Sequence, residues 1–216
     1  LSLARLGATV TGVDISDTAV DFARRLSAES GIPATFVRDD VYEWLAATDQ
    51  TFDVVFSSYG ALIWLSDMAT WGRGVARVLK RGGRVVLLDY HPMFAAFEEG
   101  WRLTYDYMGG TRLDFDGIGD YVALSGTSSA PSGYEEGVVD FQNPHPSHEF
   151  CWGVADIVMA LVDAGLRLTA LREYPYSNGF KRFSDMREMP DGRFVMPEGM
   201  PQIALMLGVV AEKPLA

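Results

Sequence analysis

The sequence predicts an α/β protein built on a doubly wound, mostly parallel sheet. Three observations carry that expectation. Short apolar runs alternate with helix-period runs through the first 90 residues. The run Arg84-Val-Val-Leu-Leu88 is too apolar to own a solvent face, as suits a strand covered by helices on both sides. Most informative, Ala8-Thr-Val-Thr-Gly-Val-Asp14 reads as a short strand that stops on a carboxylate, with a helix directly after it. In open parallel sheets an acidic side chain at that place hydrogen-bonds a ribose diol.

The elements follow in order. Ser16 caps a helix running to about Ser30 with Asp17 in its first turn; Ala19, Phe22, Ala23 and Leu26 form its apolar stripe, and Gly31 and Pro33 stop it. A strand Ala34-Thr-Phe-Val-Arg38 ends on Asp39-Asp40, and a short helix Val41–Ala47 precedes the strand Phe52-Asp-Val-Val-Phe56. Ser66 opens a helix with Met68, Trp71, Val75, Val78 and Leu79 on one face, closed by Gly82-Gly83 ahead of the strand at Arg84. The stretch from His91 to Glu149 has no sustained period and is rich in Gly, Ser, Asp and aromatics, among them Tyr105, Tyr107, Phe115, Tyr121 and Tyr134. Unstructured connections of that length are unusual in a compact domain. It reads as an insertion, with Arg102–Tyr107 and Gly137–Gln142 as its candidate strands, folding over the carboxyl edge of the sheet. Periodicity returns in a helix from Trp152 to Ala164, a strand Leu166–Glu173 and a last strand Gln202–Glu212. Between those strands 177–200 is a loop punctuated by Gly, Pro and Met. Its Met186, Met189, Met196 and Met200 suit an adaptable cover, over a pocket or at a dimer contact.

Composition narrows the function. The 216 residues suffice for one α/β domain with a full core. A formal net charge of −11, with no basic run beyond Arg24-Arg25 and Lys80-Arg81, argues against a nucleic-acid partner. No apolar run approaches the roughly 18 residues of a membrane span, and no signal-peptide order is seen. The single cysteine, Cys151, excludes an intrachain disulfide and suits a reducing, cytoplasmic setting. Beside Trp152 it reads as a small hydrophobe rather than a nucleophile.

Ligands of open α/β sheets bind outside the carboxyl ends of the strands. Those ends are Asp14, Asp39-Asp40, Ser57-Ser58-Tyr59 and Asp89-Tyr90-His91. Carboxylates without basic neighbours suit ribose hydroxyls or an exocyclic amine, and disfavour a 2′-phosphate. The order of signals resembles the class I S-adenosylmethionine-dependent methyltransferases. The matching pieces are Gly12-Val13-Asp14-Ile15-Ser16, Phe36-Val-Arg-Asp-Asp40-Val41, Phe52-Asp53-Val54-Val55 and Leu79-Lys80-Arg81-Gly82-Gly83, with the last helix and strand pair behind them. The resemblance implies a Rossmann-like seven-stranded sheet of order 3-2-1-4-5-7-6 with the last strand antiparallel. It also implies S-adenosyl-L-methionine as cofactor and S-adenosyl-L-homocysteine as product. The family places a glycine-rich turn after its first strand, roughly 20 residues before the acidic one. No such turn precedes Asp14 here, so the expectation is that the first strand and its loop are missing from this sequence.

Carried over residue by residue, the resemblance gives Asp14 the ribose hydroxyls and Ile15 one face of the adenine. Asp40 receives the adenine amine, the Val41 N–H faces a ring nitrogen, and Ser57 and Ser58 flank the methionine moiety. Tyr59 lines the approach to the methyl group, and Trp64, His148 and Trp152 join it at a small-molecule acceptor. Trp101, Tyr105, Tyr121, Tyr174 and Tyr176 are further aromatics to place. The base candidates are His91, directly after the fifth strand, and His148, with His145 and Glu149 behind them. Three potential ligands in His145, His148 and Glu149 lack a fourth, so no metal is expected. Two other readings stand beside methyl transfer: a non-catalytic, methyltransferase-like binding protein, with a homodimer possible in either case, and an NAD(P)-dependent oxidoreductase. The latter is disfavoured because no Tyr-x-x-x-Lys pair is present.

Overall fold

The structure is a computed structural model that describes residues 1–120, 123 and 138–215. After a short helix α1 (Ser2–Arg5), β1 (Thr11–Asp14) lies parallel to β2 (Thr35–Arg38), with Asp14 opposite Arg38. The helix between them, α2 (Asp17–Ser30), is capped by the Ser16 hydroxyl, which accepts from the Ala19 N–H at 3.2 Å. Its stripe is less buried than its spacing predicts. Only Val20 is fully covered, while Phe22 and Leu26 are 57% and 43% exposed, because a two-stranded sheet gives α2 too narrow a face.

The short helix α3 (Val41–Ala47) is capped by Asp40, whose Oδ1 accepts from the N–H groups of Tyr42 and Glu43. The Arg77 guanidinium closes its other end by donating to the carbonyls of Leu45 and Ala46 at 2.9 and 2.8 Å. Then come β3 (Phe52–Ser58), α4 (Met68–Val78) and β4 (Leu79–Tyr90). Asp67, rather than Ser66, caps α4, and the helix stops at Val78 rather than at Gly82-Gly83. The reason lies far along the chain: the Lys213 ammonium donates to the carbonyls of Ala76 and Leu79, both at 2.8 Å, and so ends the helix there. Leu79–Gly83 is drawn into the irregular start of β4, where the register against β3 shifts.

The insertion holds α5 (Pro92–Ala95), β5 (Phe97–Glu98), β6 (Arg102–Leu103), β7 (Thr111–Phe115) and β8 (Ser147–Cys151). Its strands are not those expected. Only two residues of Arg102–Tyr107 form one, paired with β5, and residues 138–142 form none. The substantial pair is β7 with β8, antiparallel. Tyr121, Tyr134 and Gly137 lie outside the described residues.

The last part contains α6 (Val154–Asp163), β9 (Arg167–Tyr174), β10 (Tyr176–Asn178), β11 (Arg187–Glu188), β12 (Arg193–Val195) and β13 (Met206–Glu212). A four-stranded mixed sheet runs β3-β4-β13-β9, with β13 antiparallel to both neighbours. The expected continuous sheet is therefore seen as two pieces, β1-β2 and this one. Along β3 the side chains of Val54 and Phe56 remain 43% and 46% exposed.

The main core lies where α4 and α6 cover the four-stranded sheet. Val75, Leu161, Leu207 and Val209 lose all contact with water, each contributing about 1.5–3 kcal/mol. Gly72 permits this packing, since a Cβ there would stand 2.2 Å from the Ala160 carbonyl oxygen of α6. A second core gathers Phe94, Phe183, Met186, Phe194, Met196 and Leu205. Met186 and Met196 are thus packed inside the chain's own fold, while Met189 is exposed.

Candidate active site

At the carboxyl ends of the strands, adjacent parallel pairing brings two of the predicted carboxylates together. Asp14 ends β1 and Asp40 follows β2, and the Asp39 N–H donates to the Asp14 carbonyl at 3.1 Å. Each carboxylate has one oxygen occupied locally: Asp14 Oδ1 accepts from the Ser16 N–H at 2.8 Å, and Asp40 Oδ1 caps α3. Ile15 projects beside them, 67% exposed, and Val41 is the first residue of α3. Ser57 and Ser58 end β3 and are half-buried.

At the turn that follows β3 opens a cavity of about 450 Å³, large enough for a small aromatic molecule; none of Asp14, Ile15, Asp40, Val41, Ser57 and Ser58 lines it. Tyr59, Trp64 and Trp152, three of the four predicted acceptor contacts, line it, and the fourth, His148, does not. The turn after β3 forms one wall, and it is held by a strand-end carboxylate that the sequence marked as a ligand candidate and not as a structural clamp. Asp89, at the end of β4 and 2% exposed, accepts hydrogen bonds from the N–H groups of Gly60, Ala61, Leu62 and Tyr90. Its carboxyl is nonetheless held above the ordinary carboxylate range, since burial outweighs these donors. Tyr59 adopts a left-handed φ of +55°, and its hydroxyl accepts from Asn178 Nδ2 at 2.8 Å. Burial, with the charges of Asp89 and Tyr59, pushes the Tyr90 hydroxyl up to about 12.

The opposite wall comes from β7 and β8. Pairing sets Leu113 opposite Glu149 and Asp114 opposite His148, and strand alternation sends the two pairs to opposite faces. Leu113, Phe115, Glu149, Phe150 and Cys151 line the cavity; His148 does not. Its Nδ1 instead meets the Asp114 carboxylate at 2.6 Å on an exposed face, beside Arg112. The structure therefore brings Glu149, not His148, to the cavity. Burial raises the Glu149 carboxyl, partly offset by the Arg182 guanidinium. Burial, with Asp106 and Glu149, likewise raises the Cys151 thiol, which keeps it protonated and unreactive. Trp152 is fixed by donating from Nε1 to the Leu65 carbonyl at 2.8 Å, and its ring lies where a Cβ at Gly110 would be, 2.3 Å away.

His91 is also absent from the cavity lining. It is 3% exposed and works as a helix cap: Nδ1 accepts from the Met93 N–H at 3.1 Å, which leaves Nε2 to donate to Glu173 at 2.8 Å. Burial lowers its pKa despite Glu173, so it sits neutral. Of the other aromatics, Tyr105 lines the cavity, whereas Trp101 stacks on Phe94 in the second core and Tyr174 pairs with Tyr176. Among the described residues no cluster of three metal-binding side chains occurs, and no helix is long and apolar enough to cross a membrane.

Comparison with known proteins divides the chain in the same way. Residues 1–83 match the family model of a methyltransferase domain. A ubiquinone biosynthesis O-methyltransferase of Proteus mirabilis is 38% identical over 84 residues, 39% of this chain and 34% of that protein. One of Xanthomonas euvesicatoria is 34% identical over 96 residues, 44% of this chain and 40% of that protein. The chain spans about a third of the length of the curated relatives that it matches first. Solved structures extend the likeness of fold over nearly all of it. An S-adenosylmethionine-dependent methyltransferase from Mesorhizobium loti superposes with a TM-score of 0.57 at 20% identity, covering 94% of this chain and 80% of that one. A glycopeptide N-methyltransferase, MtfA, complexed with S-adenosyl-L-methionine gives 0.56 at 18%, covering 98% and 75%.

Proposed function

We propose that this chain, which has the fold of the S-adenosylmethionine-dependent methyltransferases and carries their domain pattern in residues 1–83, transfers a methyl group to a small-molecule acceptor by in-line displacement. The observation that carries the reading is the pair of carboxylates, Asp14 and Asp40, at the carboxyl ends of neighbouring parallel strands, with an aromatic cavity opening at the turn after β3. Each has its second oxygen left for a ligand, next to an exposed Ile15, and two carboxylates suit the hydroxyl and amine donors of a nucleoside, with Arg38, opposite Asp14, donating to the Ile15 carbonyl. Asp14 would take the ribose hydroxyls, Ile15 an adenine face, Asp40 the adenine amine and the Val41 N–H a ring nitrogen, with Ser57 and Ser58 beside the methionine part. The cofactor supplies a methyl group made electrophilic by its sulfonium. The protein's task is then to align the acceptor and exclude water, which suits the walls formed by Tyr59, Trp64 and Trp152. The insertion 91–150 and the 177–200 segment serve as the cap over the acceptor.

The free edges of β1 and β3, and the exposed Val54 and Phe56, suit a further strand between the two sheet pieces. That arrangement gives the order 3-2-1-4-5-7-6 with the glycine-rich turn on the added strand. A lone half-buried thiol and the charge of −11 suit a cytoplasmic enzyme of small molecules. Calorimetric titration with S-adenosylhomocysteine tests the reading. Binding in the micromolar range should weaken at least tenfold in Asp14→Ala, about 1.4 kcal/mol. A folded protein that takes up no S-adenosylhomocysteine would overturn it.

A further inference from the structure

The sequence likeness to O-methyltransferases is carried by residues 1–83, whereas the cavity is built mainly from residues 89–182, so the acceptor's chemistry has to be read from the cavity itself. Its charges are unbalanced: Asp89, Asp106 and Glu149 face one guanidinium, Arg182. They are not equivalent. The Asp89 carboxylate is spent on four backbone N–H groups, and Asp106 is exposed and accepts from the Thr111 hydroxyl at 3.1 Å. Arg182 donates to the carbonyls of Ala95 and Phe97, stands over the rings of Phe94 and Phe183 at 5.9 and 5.5 Å, and offsets only part of the effect of burial on Glu149. Among the described residues no hydrogen bond reaches the Glu149 carboxylate, although it is half-buried.

A desolvated carboxylate without a donor is unfavourable, and a bound cation with N–H groups removes both deficits at once. The rest of the wall acts in the same direction. Tyr59, Trp64, Tyr105, Tyr107, Trp152 and Phe180 line the cavity, and aromatic side chains attract cations to their ring faces. The net charge of −11 would also speed the approach of a cation. We propose that the cavity takes a small arylalkyl amine in its protonated form, with the ammonium paired to Glu149 and the ring held among these aromatic side chains. This rests on reading the cavity as the acceptor site. Glu149 then has a chemical task, because an ammonium has no lone pair. One N–H proton passes to a Glu149 carboxylate oxygen and the bonding electrons stay on nitrogen, leaving a neutral amine as nucleophile and a neutral carboxyl group beside it. The raised affinity of Glu149 for protons favours that transfer.

The test compares three probes of one size at pH 7.5 by calorimetry: 2-phenylethylamine, 2-phenylethanol and phenylacetate. The amine should bind at least tenfold more tightly than the alcohol, and the acid most weakly. In Glu149→Gln, a near-isostere without charge, the amine should fall to within about twofold of the alcohol, while the alcohol keeps its wild-type affinity and so reports an intact cavity. Alcohol or acid binding as well as the amine overturns the proposal, as does a preference that survives in Glu149→Gln, or failure of all three probes to bind. The separate titration with S-adenosylhomocysteine keeps the two readings apart: it bears on methyl transfer, whereas the amine preference stands or falls on the probes.

Discussion

Replacing Asp89 with alanine should loosen the wall of the cavity more than any other single change. The carboxylate accepts from four N–H groups, three of them in the turn 60–62 that follows the left-handed Tyr59. In Asp89→Ala the Leu62 N–H, in a buried residue, loses its acceptor outright, at about 1–3 kcal/mol. Gly60 borders the cavity and Ala61 is half-buried, so water partly replaces the carboxylate at both, at about half that cost each, and relief of the buried charge returns a fraction. The net loss should be about 3 kcal/mol. For a chain of this size that is a fall in Tm of roughly 6–12 °C, readable by urea denaturation and calorimetry. The sign of its pH dependence is also set. Burial raises the Asp89 pKa above 3.8, so the folded state takes up this proton before the unfolded state does and is favoured as pH falls. The gap between wild type and variant should therefore widen from neutral pH downwards. A variant within about 0.5 kcal/mol of wild type would refute the clamp.

Two further outcomes follow from the structure. His91 titrates with the opposite sign: burial lowers its pKa below 6.5, so the unfolded chain binds this proton first and stability falls as pH drops through that value. His91→Gln should flatten that part of the stability profile, while an unchanged slope would show that the ring is not held neutral. Gly72→Ala places a methyl group 2.2 Å from the Ala160 carbonyl oxygen and must force α4 from α6. Overpacking of about 1–3 kcal/mol, less about 1 kcal/mol of helix propensity, should leave the variant less stable in urea; a variant more stable than wild type would contradict the close approach.

The elements carried by period and punctuation were legible from the sequence alone. Ser16 and Asp40 cap the helices placed there, and the long strands up to Glu212 lie within a few residues of their expected bounds. What failed had a cause remote in sequence. No local signal announces that Lys213 ends α4, or that Asp89 gathers N–H groups from a turn nearly thirty residues earlier. The insertion was harder still, because its strands pair across residues 116–146 and neither Thr111–Phe115 nor Ser147–Cys151 shows a clean alternation. Histidine drew attention to His148 by its chemistry, whereas strand parity decides which neighbour reaches the cavity. The expectation of Glu149 as a secondary base came from the same short run, Ser-His-Glu-Phe-Cys, and pairing was needed to rank the two.

That parity leaves the chemistry of the cavity on a narrow footing. Slipping β8 by one residue against β7 would turn Glu149 outward and His148 inward, while leaving the backbone ladder intact. A single inserted or deleted residue within the strand would exchange a carboxylate for an imidazole. Descendants of one such scaffold can thus acquire a different preference for charge in a single step, without touching the sheet or the carboxylates at its edge.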